Sequence, residues 1–169
     1  MAASVAYTIV ILTERHSISG DLYLPEQRLS DFLNDRRDSI IHLRNAKVAR
    51  LSEPNKLIQQ HGEAFVPKTW VVVAFEPPQQ AIPYAKRLYG YVRKQQYEVY
   101  LMLEGMEVRG TLHAPGDLDL RRFLATTSES FLPITKATLT LYANDRYIIE
   151  QDAILINARS IRYIAQIQK

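Results

Sequence analysis

Gly20-Asp21-Leu22-Tyr23-Leu24-Pro25 and, ninety residues on, Gly110-Thr111-Leu112-His113-Ala114-Pro115 are two versions of one pattern: a glycine, a leucine two residues later, and a proline three after that. The same offset of 90 also superposes Glu14 on Glu104. Allowing one inserted residue in the second copy, Leu29 pairs with Leu120, Phe32 with Phe123, Leu33 with Leu124, Ser39 with Ser130 and Ala46 with Ala137. That makes nine identities over about forty positions, where ordinary composition would give roughly two or three. Residue class is kept at Ile9/Val99, Ile11/Leu101, Ile18/Val108, Ile40/Phe131, Leu43/Ile134 and Val48/Leu139. Self-similarity at a fixed offset bears on the whole fold. The expectation is an internal duplication of a unit of roughly seventy residues, with the match fading after Leu51.

Within each copy, apolar residues recur at every second position. Ile9 and Ile11, and in the second copy Val99, Leu101 and Leu103, alternate as a strand with one buried face requires. A second alternating stretch follows at once through Ile18, Gly20, Leu22 and Leu24, matched by Val108, Gly110 and Leu112, so each pair reads as a hairpin. Glycine inside a strand weakens it, so Gly20 and Gly110 mark a bend or a close backbone approach. Pro25 and Pro115 end their strands. Leu29, Phe32 and Leu33 then share one helical face, as do Leu120, Phe123 and Leu124, and the short helix they predict would plug one end of the unit.

Strand character returns at Ile40 to Leu51 and Phe131 to Tyr142, and again at Ala64 to Phe75 and Ala153 to Ile167. Pro67 limits the third of these, because proline cannot donate to a central ladder. The expected fold class is mainly β with short helices: about five strands and one helix per copy, forming two tandem small barrels or curled sheets rather than a single open sheet. The expected boundaries are 1–77 for the first repeat unit, 78–96 for a basic connector and 97–169 for the second repeat unit.

The order Leu103-Glu104-Gly105, Gly110-Thr111-Leu112 and Ile154-Leu155-Ile156-Asn157, closing with Ile161 and Ile164, resembles the strand order and glycine spacing of Sm-like and related SH3-type small barrels. Gly110 to Pro115, Leu120 to Leu124 and Phe131 to Ala137, with a looser version at Gly20 to Ala46, are also similar to a bacterial small-domain family of unknown function. What the resemblance implies is a fold, two tandem Sm/SH3-like units. RNA-binding Sm proteins usually carry an Arg-Gly or Lys-His type pair in the last loop, and here Asn157-Ala158 stands in its place.

Composition bounds the function. The 169 residues are 47% hydrophobic and 23% charged, the balance of an ordinary soluble globular protein, and no apolar run is long enough to span a bilayer. Met1 to Leu12 is apolar but has no basic residue ahead of it and runs into Thr13-Glu14-Arg15-His16, so it reads as the first strand rather than a signal peptide. With no cysteine there is neither a disulfide framework nor a thiolate metal site, and a cytoplasmic location is expected. The net charge of +3 is unevenly spread: between Pro78 and Tyr97 there are four basic residues and no acidic one, which leaves −1 for the rest of the chain.

Little in the sequence points to catalysis. No phosphate-binding loop, nucleophile elbow or dinucleotide fingerprint is present. His16, His42, His61 and His113 lack the i, i+4 spacing of a helical metal pair and read as surface or strand-edge residues, so no metal and no cofactor is expected. Asp31, Asp35 and Asp38, and Asp117 and Asp119, cluster beside Arg36, Arg37, Arg121 and Arg122 around the short helices. Solvated faces and caps explain them better than an acid/base pair, with Asp117 the expected cap of the second helix. The one candidate contact surface is the connector, where Lys86, Arg87, Tyr89, Tyr91, Arg93 and Lys94 interleave cations with aromatic rings, as phosphate neutralisation and base stacking require. The competing reading makes the tyrosines strand or interface residues, with the cations in solvent.

The expected function is that of a non-enzymatic binding or scaffold protein, engaging a protein partner or self-assembling through strand edges. The alternative is single-stranded RNA binding through the connector. Contact of the same cations with an acidic membrane surface ranks third, and an enzyme last.

Overall fold

The computed structural model describes residues 4–77 and 94–168. In the first half, β1 (Ser4–Leu12) and β2 (His16–Pro25) form a hairpin. A short helix α1 (Leu29–Asn34) follows, then β3 (Ile40–Arg50), β4 (Leu57–Pro67), a 3-10 turn at Lys68–Trp70 and β5 (Val73–Phe75). The second half runs through the same series: β6 (Lys94–Leu103), β7 (Met106–Pro115), α2 (Leu120–Thr126), β8 (Phe131–Leu141), β9 (Asn144–Asn157), a 3-10 turn at Ala158–Ser160 and β10 (Ile161–Gln166). Strand order is β5-β1-β2-β3-β4 in one half and β10-β6-β7-β8-β9 in the other.

The pairing registers correspond position by position. Ile9 faces Gly20 as Val99 faces Gly110, Ile18 faces Val48 as Val108 faces Leu139, and Ile41 faces Val66 as Leu132 faces Ile156. The offset is 90 along the first two strands of each half, 91 along the third and 90 again by Val66 and Ile156, so the inserted residue is absorbed in the loop after the third strand. Gly20 and Gly110 each sit at a register shift against the third strand, opposite the left-handed residues Asn45 (φ 51°) and Lys136 (φ 48°). A Cβ on Gly20 would lie 2.9 Å from the Arg44 carbonyl oxygen, and one on Gly110 would lie 3.0 Å from the Thr135 carbonyl oxygen and against the Ile134 side chain. Close backbone approach is therefore what these glycines permit.

The fold is mainly β as expected, but the expectation of two tandem small barrels or curled sheets in preference to a single open sheet is met only at that level. All ten strands form one antiparallel sheet, in the order β10-β6-β7-β8-β9-β5-β1-β2-β3-β4. β5 is the reason, since it pairs with β1 on one side and with β9 on the other. Among the described residues the outermost strands are β4 and β10, and they do not pair with each other, so the sheet is not closed into a barrel.

The two halves also share their cores. Phe131 and Leu155 pack into the first-half core around Ile11, Leu33 and Leu43. Leu12, Leu51, Val72, Val73 and Phe75 pack into the second-half core around Leu101, Val108 and Leu139. A strand buried on both faces reads as an unbroken apolar run, and Val71-Val72-Val73-Ala74-Phe75 is one. The helices differ: Leu29, Phe32 and Leu33 of α1 are buried, whereas α2 buries no residue fully and exposes Leu124. Asp119, not the expected Asp117, caps α2, accepting the Arg122 N–H at 3.0 Å. No helix among the described residues is long and apolar enough to cross a membrane.

Candidate interaction edges

The joint between the halves shows what a strand edge of this protein can bind. Val73 lies opposite Ile156 and Ala74 opposite Leu155. The Asn157 N–H donates to the Val72 carbonyl at 2.9 Å, and its side-chain Nδ2 donates to the Val71 carbonyl at 2.9 Å in a buried setting. Its Oδ1 accepts the Arg159 N–H at 3.1 Å, starting the following 3-10 turn. Asn34, at the end of α1, brackets the Phe131 backbone by donating to its carbonyl at 3.2 Å and accepting from its N–H at 2.9 Å. Arg36 adds a bond to the Ser128 carbonyl at 3.0 Å. Two asparagine side chains thus satisfy backbone groups that would otherwise be buried without partners.

The outer edges lie at β4 and β10. Strand alternation places the backbone N–H groups of Glu63 and Phe65 outward, because Lys68 N–H points inward to the Ser39 carbonyl. Pro67, which has no N–H to offer, ends this edge. Leu57, Phe65 and the adjacent Trp70 are exposed here, and the strand Leu57–Pro67 carries only one carboxylate, Glu63, and no lysine or arginine. Edges not meant for pairing are commonly blunted with lysine, proline or inward charges. Among the described residues, β4 is protected only at its end.

Each edge is flanked by an aromatic and cationic surface. Beside β4, the His42 ring stacks on Phe65 with centroids 4.6 Å apart and 14° between planes, and its Nε2 lies 3.3 Å from the Glu63 carboxylate. Arg44 sits 4.9 Å over the Tyr23 ring, and a shallow cleft of about 150 Å³ lies among Tyr23, Phe32, Asp38, Ile40, His42 and Arg44. Beside β10, the Tyr100 and Tyr163 rings meet edge to face at 6.3 Å, with Arg109 5.8 Å over Tyr100. The Tyr100 hydroxyl donates to Glu107; that bond, followed by burial, pushes its pKa up to about 12. Arg162 pairs with Glu104 along the same edge.

Lys68 is buried at the carboxyl end of α1. Its Nζ donates to the Phe32 carbonyl at 2.5 Å and to the Asp35 carbonyl at 3.0 Å, and lies 4.2 Å from the Phe32 ring centroid. Cations at this end of a helix are favourable, while burial pushes the ammonium pKa down against the opposing pull of Asp38 and Asp35. Asp35 is held at about 2, first by its hydrogen bonds from the Arg37 side chain and then by the Arg37 backbone N–H.

Of the connector residues singled out in the sequence, Lys86, Arg87, Tyr89, Tyr91 and Arg93 lie outside the described residues. Lys94 opens β6, exposed and opposite Pro115. The Asp31, Asp35, Asp38 and Asp119 carboxylates are engaged locally, with Arg28, Arg37, the Ile40 N–H and the Arg122 N–H respectively. Among the described residues, no three histidine or acidic side chains converge as metal ligands. The sequence assigned no role at the joint or edges to Asn34, Asn157 or Phe65; the available signal was the apolar run at Val71–Phe75, which demands a partner on each face. A scan of family models, a search of curated proteins and a search of solved structures each return no match.

Proposed function

We propose that this chain is a non-enzymatic binding or scaffold protein, derived by duplication of one five-stranded unit related to Sm/SH3-type small barrels, and that it engages protein through its two outer strand edges. The observation that carries the reading is the long, weakly charged β4 edge, with Phe65 and Leu57 exposed and outward N–H groups at Glu63 and Phe65. An added strand gains affinity from main-chain hydrogen bonds and specificity from the flanking side chains, here His42, Tyr23 and Arg44. The matched registers and the paired glycine contacts support the duplication.

The test is selection of phage-displayed random peptides on the full chain. Enriched extended peptides should slow exchange of the Glu63 and Phe65 amides, or of amides along β10. No enrichment, or protection away from both edges, refutes the proposal. A second reading rests on the run of four cations without an acidic residue between Pro78 and Tyr97. It predicts retardation of single-stranded RNA in a low-salt gel shift, lost when Lys86, Arg87, Arg93 and Lys94 become glutamine. Absence of retardation removes it.

A further inference from the structure

The residues that form the internal joint have counterparts, at the offsets of 90 and 91, on the two outer edges. β10 occupies in the second half the place of β5 in the first: Ile164 faces Leu101 as Ala74 faces Ile11. β4 occupies in the first half the place of β9: Val66 faces Ile41 as Ile156 faces Leu132. Among the described residues, each surface of the joint is therefore present twice, once paired inside the chain and once open at an end of the sheet.

The open copies have kept apolar side chains. On the β4 side, Leu155 and Phe131 are buried in the joint, and their counterparts Phe65 and Ile40 are exposed, Phe65 at 64% against 8% for Leu155. On the β10 side, the joint buries Leu12, Leu33, Leu51 and Val73, and the counterparts Met102, Leu124, Tyr142 and Tyr163 are all exposed, Tyr163 at 49% against 0% for Val73. Among the described residues, six of the ten exposed large apolar side chains are thus counterparts of residues buried around the joint. Scattered surface hydrophobics need no explanation, but clustering at two complementary edges does.

We propose that copies of this chain add to one another head to tail, with β10 of one copy lying on β4 of the next as β5 lies on β9. This rests on the edge-binding reading above and names its partner as a second copy. In the internal register, Tyr163 would face Val66 and Ile164 would face Phe65. Ile40 and Phe65 would be covered as Phe131 and Leu155 are. The contact is heterologous, so repetition either closes a ring or extends a filament. Two features make it weaker than the internal joint. Asn157 is replaced by Pro67, and Asn34 by Ala125, removing the amides that hold Val71 and Phe131. Association is therefore reversible and concentration-dependent.

The absence of cysteine allows a direct test on the full chain. Chains carrying Phe65→Cys and Ile164→Cys are prepared separately, mixed and oxidised. Facing Cα atoms in such a pair lie about 5.5 Å apart, within disulfide reach, so the mixture should yield the crossed dimer well above either variant alone. Sedimentation velocity across a concentration series should show oligomers of the unmodified chain, lost in Ile40→Glu/Phe65→Glu and at least about tenfold tighter in Pro67→Asn/Ala125→Asn, which restores the amides. A monomer at all concentrations, with no crossed dimer and no gain from the asparagines, overturns the proposal. If strand peptides still protect the Phe65 amide in that case, edge binding stands and only the second-copy partner is wrong; if they do not, both fall.

Discussion

Replacing Asn157 by alanine should destabilise the whole chain, not one half. The substitution removes the buried Nδ2 bond to the Val71 carbonyl and the Oδ1 bond from the Arg159 N–H. Stranding a buried acceptor costs about 1–3 kcal/mol, and losing an asparagine that starts a helical turn costs about 1 kcal/mol. The expected loss is about 2–4 kcal/mol, a substantial part of the ~5–15 kcal/mol that holds a domain of this size. At roughly 2–4 °C per kcal/mol, Tm should fall by about 4–16 °C. Urea denaturation followed by circular dichroism should show a lower midpoint, an unchanged slope and still a single transition, because each core contains residues from the other half. The matched control is Pro67→Ala at the equivalent open position, where less than about 1 kcal/mol is expected. An Asn157→Ala change within about 0.5 kcal/mol of zero, or a transition that splits in two, would refute the reasoning.

Three further outcomes follow from the geometry. Gly20→Ala places a Cβ 2.9 Å from the Arg44 carbonyl oxygen, a backbone atom that cannot swing aside; thermal denaturation should register a loss of about 1–3 kcal/mol, and an unchanged Tm would contradict the bulge. The Asp35 carboxyl titrates at about 2 because Arg37 donates to it; in an NMR titration of Arg37→Gln its pKa should rise toward 3.8. Since the folded-state value is depressed, the stabilisation from this pair is present above pH 3.8 and is lost as pH falls toward 2. In Glu107→Gln, the Tyr100 phenol should titrate below its value of about 12, moving toward 10 in an ultraviolet titration; no movement would mean that Glu107 does not hold the hydroxyl.

Much of the fold was legible in the sequence because period-two alternation responds to burial on one face. Ile9 and Ile11, the paired glycines and the Leu29, Phe32, Leu33 face stand where they were expected. What local pattern could not supply was long-range pairing. Val71–Phe75 is apolar without alternation, which fits any doubly buried segment, and nothing local states that its second neighbour is the segment 155–157. The same limit hid the candidate site. Asn34 and Asn157 look like a helix end and a loop start, and their role appears only when Phe131 and Val71 are brought against them. Asp119 displaced Asp117 as the cap of α2 because the helix begins at Leu120, leaving Asp117 two positions short of the cap. The connector cations were visible as a composition bias, and five of the six site residues fall outside the described structure.

The most direct measurement of the central claim, one sheet stitched through β5 and β9 with its two ends open, is residue-resolved hydrogen exchange on dilute protein. The Asn157 amide, bonded to the Val72 carbonyl at 2.9 Å, should exchange only through global unfolding, at the rate set by the core strands, while the Glu63 and Phe65 amides exchange orders of magnitude faster. An Asn157 amide that exchanges as fast as Phe65 would contradict it.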